Sequence, residues 1–213
     1  MTTERTIVFD NVSKFYGEVL GVNRVTLSLP PGVTSLVGPN GSGKTTLLNL
    51  MTGLVRPSRG RVSVLGMTPD DPEVFGRKVG YCTQVDAFPK AVTGRSFIRG
   101  WLRLSGLDRA GADRATVEAL ERVGMTEAAD RKVEGYSKGM RQRIRLALAL
   151  NHRPEVLVLD EPLNGLDFDS IRKVLYLLEK KREEGCALLM ISHNEEIFDK
   201  ITDKENMYYL GEA

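Results

Sequence analysis

The residues of this chain best suited to chemistry are eight consecutive ones that follow the pattern G-x-x-x-x-G-K-[ST]. They are Gly38, Pro39, Asn40, Gly41, Ser42, Gly43, Lys44 and Thr45, and Thr46 comes directly after them. A glycine-rich loop of this spacing cradles phosphate groups with its backbone N–H groups, while its lysine reaches the β- and γ-phosphates and its hydroxyl residue reaches Mg²⁺. The alternative interpretation is a glycine-rich turn with a chance lysine.

The residues that flank this loop favour the phosphate-binding interpretation. An apolar run at residues 32–37 precedes the loop and is typical of a buried strand, and apolar residues follow at helical spacing between residues 47 and 54. A strand, a glycine loop and a helix in this order direct backbone N–H groups and a helix N-terminus at one anion. The sequence therefore predicts a site for a nucleoside triphosphate.

Two carboxylates follow a second apolar run. Residues 156–159 read as a buried strand, and Asp160 and Glu161 come at its end. The end of a parallel strand beside a phosphate loop is where the metal of a nucleotide is expected. Asp160 is then a candidate for the Mg²⁺ shell, and Glu161 for orienting or deprotonating an attacking water. The alternative is a solvated acidic turn.

The elements that must position these residues fall into two kinds of strand. Alternating apolar residues at 7–12, 25–29 and 61–65 predict an antiparallel sheet with one buried face, whereas the continuous apolar runs at 156–159 and 187–191 predict a parallel sheet covered on both faces. Helical spacing fills residues 169–184, and residues 206–210 fit a final strand.

Between residues 92 and 150 the pattern turns helical, which indicates a lobe inserted into the α/β core. We expect one domain over residues 1–213, with the core and antiparallel subdomain at approximately 1–91 and 151–213 and the helical lobe at approximately 92–150. The predicted fold is α/β: a P-loop NTPase core with an N-terminal antiparallel β subdomain and an inserted α-helical lobe. Phe97 and Trp101 fit either a partner surface or the core of the lobe.

Composition excludes several other classes of protein. Thirty basic and twenty-eight acidic residues give a net charge of +2 without a run of like charge, so no nucleic-acid partner is expected. Cys82 and Cys186 lack a C-x-x-C partner and fit buried thiols of a reducing compartment, with a disulfide as the alternative. No signal peptide is visible, and the longest apolar stretches, about five or six residues, are far short of the roughly 20 residues of a membrane span. We expect a soluble, cytosolic chain.

Residues 136–143, Tyr-Ser-Lys-Gly-Met-Arg-Gln-Arg, make the identification more specific. This segment resembles the signature motif of the ATP-binding cassette (ABC) ATPases, and the resemblance covers essentially the whole chain. It implies that Tyr16 stacks on adenine, that Gln84 contacts Mg²⁺ or its water, and that His193 contacts the γ-phosphate. Residues 164–167, which end at Asp167, match the loop that follows the catalytic glutamate of the family.

The resemblance also implies a dimer. In the family, two cassettes meet head-to-tail, so that each ATP is held by one phosphate loop and by the signature of the opposite subunit. Ser137 and Gly139 are the matching phosphate contacts, and Tyr136, Lys138 and Met140 depart from the commoner Leu-Ser-Gly-Gly-Gln form. Lys138 either adds positive charge near the nucleotide or points into solvent.

The function implied by the resemblance is an ATPase with ATP and Mg²⁺ as its ligands and with Glu161, His193 and Lys44 as its catalytic residues. The expected partners are a second ABC subunit, in a homodimer, and an integral membrane permease that holds the chain at the cytoplasmic face of the membrane. The signature variant resembles those of exporters. The alternatives are a soluble ABC ATPase of an assembly process, such as iron–sulfur cluster biogenesis, and a nucleotide-gated binding module that hydrolyses nothing.

Overall fold

The computed structural model describes residues 6–71, 77–85, 87–151, 153–192 and 207–210. In chain order its elements are β1 (Ile7–Tyr16), β2 (Val19–Leu29), β3 (Val33–Val37), α1 (Lys44–Met51), β4 (Arg59–Val64), β5 (Val79–Cys82), α2 (Gly94–Leu104), α3 (Arg109–Arg122), a short 3₁₀ helix (Val133–Gly135), α4 (Lys138–Leu150), β6 (Val156–Asp160), α5 (Phe168–Glu183), β7 (Ala187–Ile191) and β8 (Met207–Tyr209).

The strands form two sheets of the predicted kinds. β1, β2 and β4 pair antiparallel in the order β2-β1-β4, with apolar side chains such as Phe9 and Val62 facing the core. The second sheet is parallel in the order β5-β6-β7-β3-β8, and every residue of β3, β6 and β7 is buried. Continuous apolar runs therefore form the parallel sheet, because both of its faces are covered.

One strand was not predicted from the sequence. β5 has only four residues and contains Gly80, so it offers neither a long apolar run nor a clear alternation. Gly80 is required by packing, since a Cβ there would lie 2.1 Å from the carbonyl oxygen of Ala149. The absence of a side chain lets α4 lie directly against this strand.

α4 joins the helical lobe to the parallel sheet. Ile144 and Ala147 pack in a hydrophobic cluster with α2 and α3, whereas Leu146, Ala149 and Leu150 pack in a second cluster with β5, β6 and β7. The N-terminal end of α4 carries the segment that resembles the ABC signature, so this segment is held by a helix that contacts both parts of the molecule.

Both cysteines are buried free thiols, as predicted. Cys82 ends β5 and Cys186 precedes β7, so the two cysteines lie at opposite ends of the parallel strands. Burial raises the pKa of both thiols to about 12, and thiols with such pKa values are poor nucleophiles. Among the residues described, there is no helix with the length and apolar character of a membrane span.

Candidate active site

The predicted functional residues follow neighbouring strands of the parallel sheet at one edge. The phosphate loop follows β3, Glu161 follows β6, and Gln84 lies two residues after β5; Ser192, which was not predicted as a functional residue, follows β7. β7 lies between β3 and β6, and Ile191 is level with both Leu36 and Asp160. Since adjacent strands are about 4.8 Å apart, the ends of β3 and β6 are roughly 10 Å apart. Ligands of parallel α/β sheets bind at this edge.

The phosphate loop has a backbone that requires glycine. Gly41 and Gly43 have φ angles of 87° and 89°, in the left-handed region, and Gly43 is the N-cap residue of α1. A Cβ on Gly43 would also lie 2.5 Å from Cγ1 of Val22. Any side chain at this position would therefore disturb both the turn and its packing on β2.

Lys44 is the first residue of α1, and its ammonium group lies within the loop. Nζ donates to the carbonyl oxygens of Gly38 and Pro39 at 2.5 and 2.6 Å, and it lies 3.4 Å from Oγ of Ser42. The positive charge is thus concentrated where the loop N–H groups and the N-terminus of α1 also favour an anion.

Tyr16 lies beside the first turn of α1, although it is distant from that helix in sequence. A Cβ on Gly21 would lie 2.9 Å from Cε2 of Tyr16 and 3.0 Å from Oγ1 of Thr46, so both side chains approach the same glycine of β2. The tyrosine is 43% exposed. Its half-exposed ring therefore offers a stacking face next to the phosphate loop.

Asp160 and Gln84 are in contact. Nε2 of Gln84 donates to Oδ1 of Asp160 at 3.2 Å, and the aspartate is buried. Together with the exposed hydroxyl residue Thr45, they offer the carboxylate, amide and hydroxyl oxygens that Mg²⁺ prefers. The described residues contain no group of three or more His, Cys, Asp or Glu side chains that could hold a metal ion. This donor set fits an ion that is also bound by phosphates and water.

Glu161 has the most unusual geometry at this edge. It is 6% exposed and has a φ of 49°, which is rare for a residue with a side chain. Its backbone N–H donates to the carbonyl oxygen of Ile191 at 2.8 Å, and its carboxylate accepts a 2.8 Å hydrogen bond from the Ser192 hydroxyl. His193, which the sequence predicts to contact the γ-phosphate, lies outside the described residues.

The signature segment contacts the loop that follows Glu161. Nζ of Lys138 donates to Oδ1 of Asn164 at 3.0 Å, and the lysine is exposed. A Cβ on Gly139 would lie 2.5 Å from the carbonyl oxygen of Gly165. These contacts hold the start of α4 against the turn between β6 and α5.

Ser137 and Asp167 are helix N-caps. The Ser137 hydroxyl accepts from the backbone N–H of Met140 at 3.2 Å, and the Asp167 carboxylate accepts from the N–H of Ser170 at 2.8 Å. The bond from Ser170 holds the pKa of Asp167 below its usual value. Both caps are exposed, so each helix presents its N-terminus to solvent, where an anion is favoured.

An apolar groove opens between the helical lobe and the sheet, with a volume of about 610 Å³. Its lining includes Tyr81, Phe88, Phe97, Trp101, Leu104 and Arg145. Phe97 packs edge-to-face on Phe88 with ring centroids 5.1 Å apart, whereas Trp101 is 43% exposed. Of the two aromatic residues considered from the sequence, Phe97 thus packs against the lobe and Trp101 lies more on the surface.

Gln142 contacts the Glu161 segment, and Arg145 contacts Gln142; neither was predicted as a functional residue. Gln142 is 3% exposed, and its amide contacts the backbone carbonyls of Glu161 and Pro162. The residues around Gln142 in the sequence are mostly polar, so no sequence pattern indicated that its side chain is buried.

The chain is similar in sequence to known proteins. The family model described as ABC transporter matches residues 22–164. The chain is 33% identical to the linearmycin resistance ATP-binding protein LnrL of Bacillus subtilis over 95% of its own length and 66% of LnrL. It is 35% identical to the bacitracin transport ATP-binding protein BcrA of Enterococcus faecalis, over 99% and 68% of the two chains.

A solved structure supports the fold. The dimeric structure of MJ0796, a bacterial ABC transporter cassette, superimposes with a TM-score of 0.87 over 97% of this chain and 94% of that one, at 24% identity. This likeness confirms the predicted α/β fold. Since the chain spans 66% of LnrL, the comparison concerns one part of such relatives. By its motifs, its fold and the family model that it matches, the chain belongs to the ABC transporter family, as an ATP-binding domain.

Proposed function

We propose that this chain is the ATP-hydrolysing subunit of an ABC transporter, in which ATP-driven head-to-tail dimerisation powers a separate membrane permease. The observation that carries the proposal is the convergence of the phosphate loop, Asp160, Glu161, Gln84 and Ser192 at one edge of the parallel sheet. Residues 1–213 act as one nucleotide-binding domain, with residues 92–150 as its helical lobe.

ATP binds with its phosphates in the loop of residues 38–45 and its adenine on Tyr16. The loop N–H groups, the N-terminus of α1 and the Lys44 ammonium neutralise phosphate charge. Thr45, Asp160 and Gln84 hold Mg²⁺, directly or through water. The ion would supply positive charge that stabilises the phosphate oxygens during hydrolysis.

Glu161 orients the attacking water and accepts its proton. Its carboxylate is buried, hydrogen-bonded to Ser192, and positioned at the edge where the γ-phosphate lies in this arrangement. His193, as the residue after Ser192, contacts the γ-phosphate. Besides accepting this proton, the chain contributes positioning and charge stabilisation to hydrolysis.

The second half of the ATP site comes from another cassette. Ser137 and Gly139 lie at the exposed N-terminus of α4. Asp167 caps α5 at the end of the turn between β6 and α5, which the start of α4 contacts. The described hydrogen bonds of Ser137 and Asp167 cap their own helices, the bond of Lys138 reaches Asn164, and none of these bonds reaches the phosphate loop. A two-fold arrangement supplies each ATP with both parts, so the dimer closes only with nucleotide.

Ser137→Arg, made together with Glu161→Gln, is expected to prevent the closed dimer at all ATP concentrations. The long charged side chain fills the space that the γ-phosphate needs, while ATP still binds each subunit. Size-exclusion chromatography with ATP and Mg²⁺ measures the dimer. Ser137→Ala loses the same helix cap, at a cost of about 1 kcal/mol, without the added bulk, and should retain a dimer. A normal dimer with arginine would contradict head-to-tail closure through Ser137.

The apolar groove supports a permease as the partner. Exposed aromatic and aliphatic side chains in a concave surface are unusual for a free surface and fit a short amphipathic helix. In this proposal the chain acts at the cytoplasmic face of the membrane, and its substrate moves outward, in keeping with its exporter-like signature segment.

Trp101→Ala is expected to reduce association with the permease by roughly 30-fold, since a central tryptophan contributes about 2 kcal/mol or more to such an interface. The measurement is the amount of a multi-span membrane protein that copurifies with the chain from gently solubilised membranes of its own cell. Tyr176→Ala, which removes an exposed aromatic residue of α5, serves as the control. Equal recovery by both variants would show that the groove is not the docking site.

The same purification tests the proposed function as a whole. A stoichiometric multi-span membrane protein supports a transport ATPase. Recovery of soluble partners alone would favour an assembly ATPase instead. A phosphate-release assay separates both from a binding module, because such a module binds ATP without turnover.

A further inference from the structure

The backbone of Glu161 needs support from its surroundings. A φ of 49° places this residue in the left-handed region, which costs about 1–3 kcal/mol for a residue with a side chain. Such a conformation persists only where neighbouring groups hold it. The direction of the Glu161 carboxylate depends on it, because a change of φ rotates the side chain about the strand end.

Gln142 supplies support from α4. Its Nε2 lies 3.0 Å from the carbonyl oxygen of Pro162 and 3.4 Å from that of Glu161, and thus spans the two carbonyls that follow the strained φ. Burying an amide side chain is unfavourable unless its donors and acceptor are paired. Gln142 is nearly fully buried, whereas the other buried residues of α4 are apolar.

Arg145 fixes which way the Gln142 amide faces. Its Nη1 donates to Oε1 of Gln142 at 2.8 Å. A guanidinium group can only donate, so the amide oxygen must face Arg145 and the amide NH₂ must face the two carbonyls. Arg145 also lines the apolar groove and lies 5.6 Å from the ring centroid of Phe88. The groove and the Glu161 segment are therefore connected through two side chains.

We propose that Gln142 is a positioning residue for ATP hydrolysis: its amide, oriented by Arg145, holds the Glu161–Pro162 segment in the turn that aims the Glu161 carboxylate. This inference rests on the proposed role of Glu161 and assigns a residue that the site itself does not contain. Gln142 acts only through Glu161. Its loss therefore reduces the rate of the chemical step and leaves the phosphate loop unchanged.

Two substitutions test this. Gln142→Glu keeps the size of the side chain and the acceptor for Arg145, but it replaces the NH₂ donor by an oxygen that faces two carbonyl oxygens. Gln142→Met keeps the approximate volume and removes both polar groups. Because a displacement of about 1 Å costs roughly 100-fold in rate, we expect both to lower kcat by about 10- to 100-fold, with the Kd for ATP within about threefold of the unmodified protein.

Thr116→Val is the matched control. Thr116 is a buried polar residue of the same lobe, and its hydroxyl donates to the carbonyl oxygen of Ala112 in its own helix. We expect its kcat to stay within about twofold. Thermal unfolding followed by circular dichroism compares the stability of all variants. If Gln142→Met does not fold, the isosteric Gln142→Glu provides the test.

The decisive measurement is a double-mutant cycle that combines each substitution at residue 142 with Glu161→Gln. The quantity measured is the rate of single-turnover hydrolysis of bound ATP. If Gln142 acts through the carboxylate, either substitution at residue 142 lowers the already slow rate of Glu161→Gln by less than about threefold. A loss as large as in the unmodified protein would overturn the proposal and make Gln142 a structural residue. A kcat within threefold for both single variants would overturn it as well.

The cycle also distinguishes this inference from the proposed function. If Glu161→Gln abolishes turnover and Gln142→Glu does not reduce it, the ATPase assignment stands and the positioning role fails. If Glu161→Gln itself hydrolyses ATP normally, the assigned base and the residue that positions it are both overturned.

Discussion

Glu161→Gln is expected to reduce the steady-state rate of ATP hydrolysis by about 10²- to 10⁴-fold, the usual contribution of a general base. The substitution keeps the shape of the side chain, and its amide oxygen can still accept the hydrogen bond from Ser192. The backbone bond from Glu161 to Ile191 is also untouched. Only the ability to accept a proton from water is lost, so the fold and the ATP site remain.

The Glu161→Gln protein should therefore still bind ATP and should accumulate as a closed dimer. Phosphate release measures the first effect, and size-exclusion chromatography with ATP and Mg²⁺ measures the second. Glu155→Gln is a matched control, since Glu155 precedes β6 at the opposite edge of the sheet and its carboxylate lies 3.4 Å from Lys78. Turnover near the unmodified rate in Glu161→Gln would show that another group activates the water.

Lys44→Ala is expected to weaken ATP binding by roughly 100-fold, which corresponds to about 2.8 kcal/mol. The ammonium group lies among the carbonyls of the loop, at the N-terminus of α1, where the phosphates are expected. Removing one partner of a buried charge pair costs about 2–5 kcal/mol, since the phosphate charge is then incompletely neutralised. The backbone of the loop keeps its glycines and its N–H groups.

Isothermal titration calorimetry with ATP measures this loss. Lys173→Ala changes the net charge by the same amount at an exposed position of α5, so it separates the local effect of Lys44 from the effect of overall charge. We expect its affinity to match that of the unmodified protein. If Lys44→Ala bound ATP within about twofold of the unmodified protein, the phosphate loop would not be the nucleotide site.

The phosphate loop was predictable because its chemistry is local. Eight consecutive residues contain the left-handed glycines, the lysine and the helix start, and the strand before them is an apolar run. The end of β6 was predictable for a similar reason, since an apolar run ends directly at Asp160 and Glu161. In both cases the sequence neighbours of each residue determine its backbone and its burial.

The sequence predicted that the lobe is helical, but it did not predict how the lobe is attached to the parallel sheet. Helical spacing indicated residues 92–150, whereas the dual role of α4 follows from which of its faces meet β5. β5 itself escaped prediction because its four residues gain their strand structure from pairing with β6, which lies more than seventy residues later in the chain. Neither the strand propensity of these four residues nor the periodicity of their apolar side chains indicates this pairing.

The sequence alone determined the phosphate loop, the two acids at the strand end, the two kinds of sheet and the family, since each depends on residues close together in the chain. Tertiary structure alone decided that Lys138 bonds Asn164, that Tyr16 approaches Thr46, and that Gln142 spans the carbonyls of the strained Glu161 turn. The physical reason is that these contacts join residues far apart in sequence. Their distances are set by the packing of α4 and the sheets, and no local pattern encodes them.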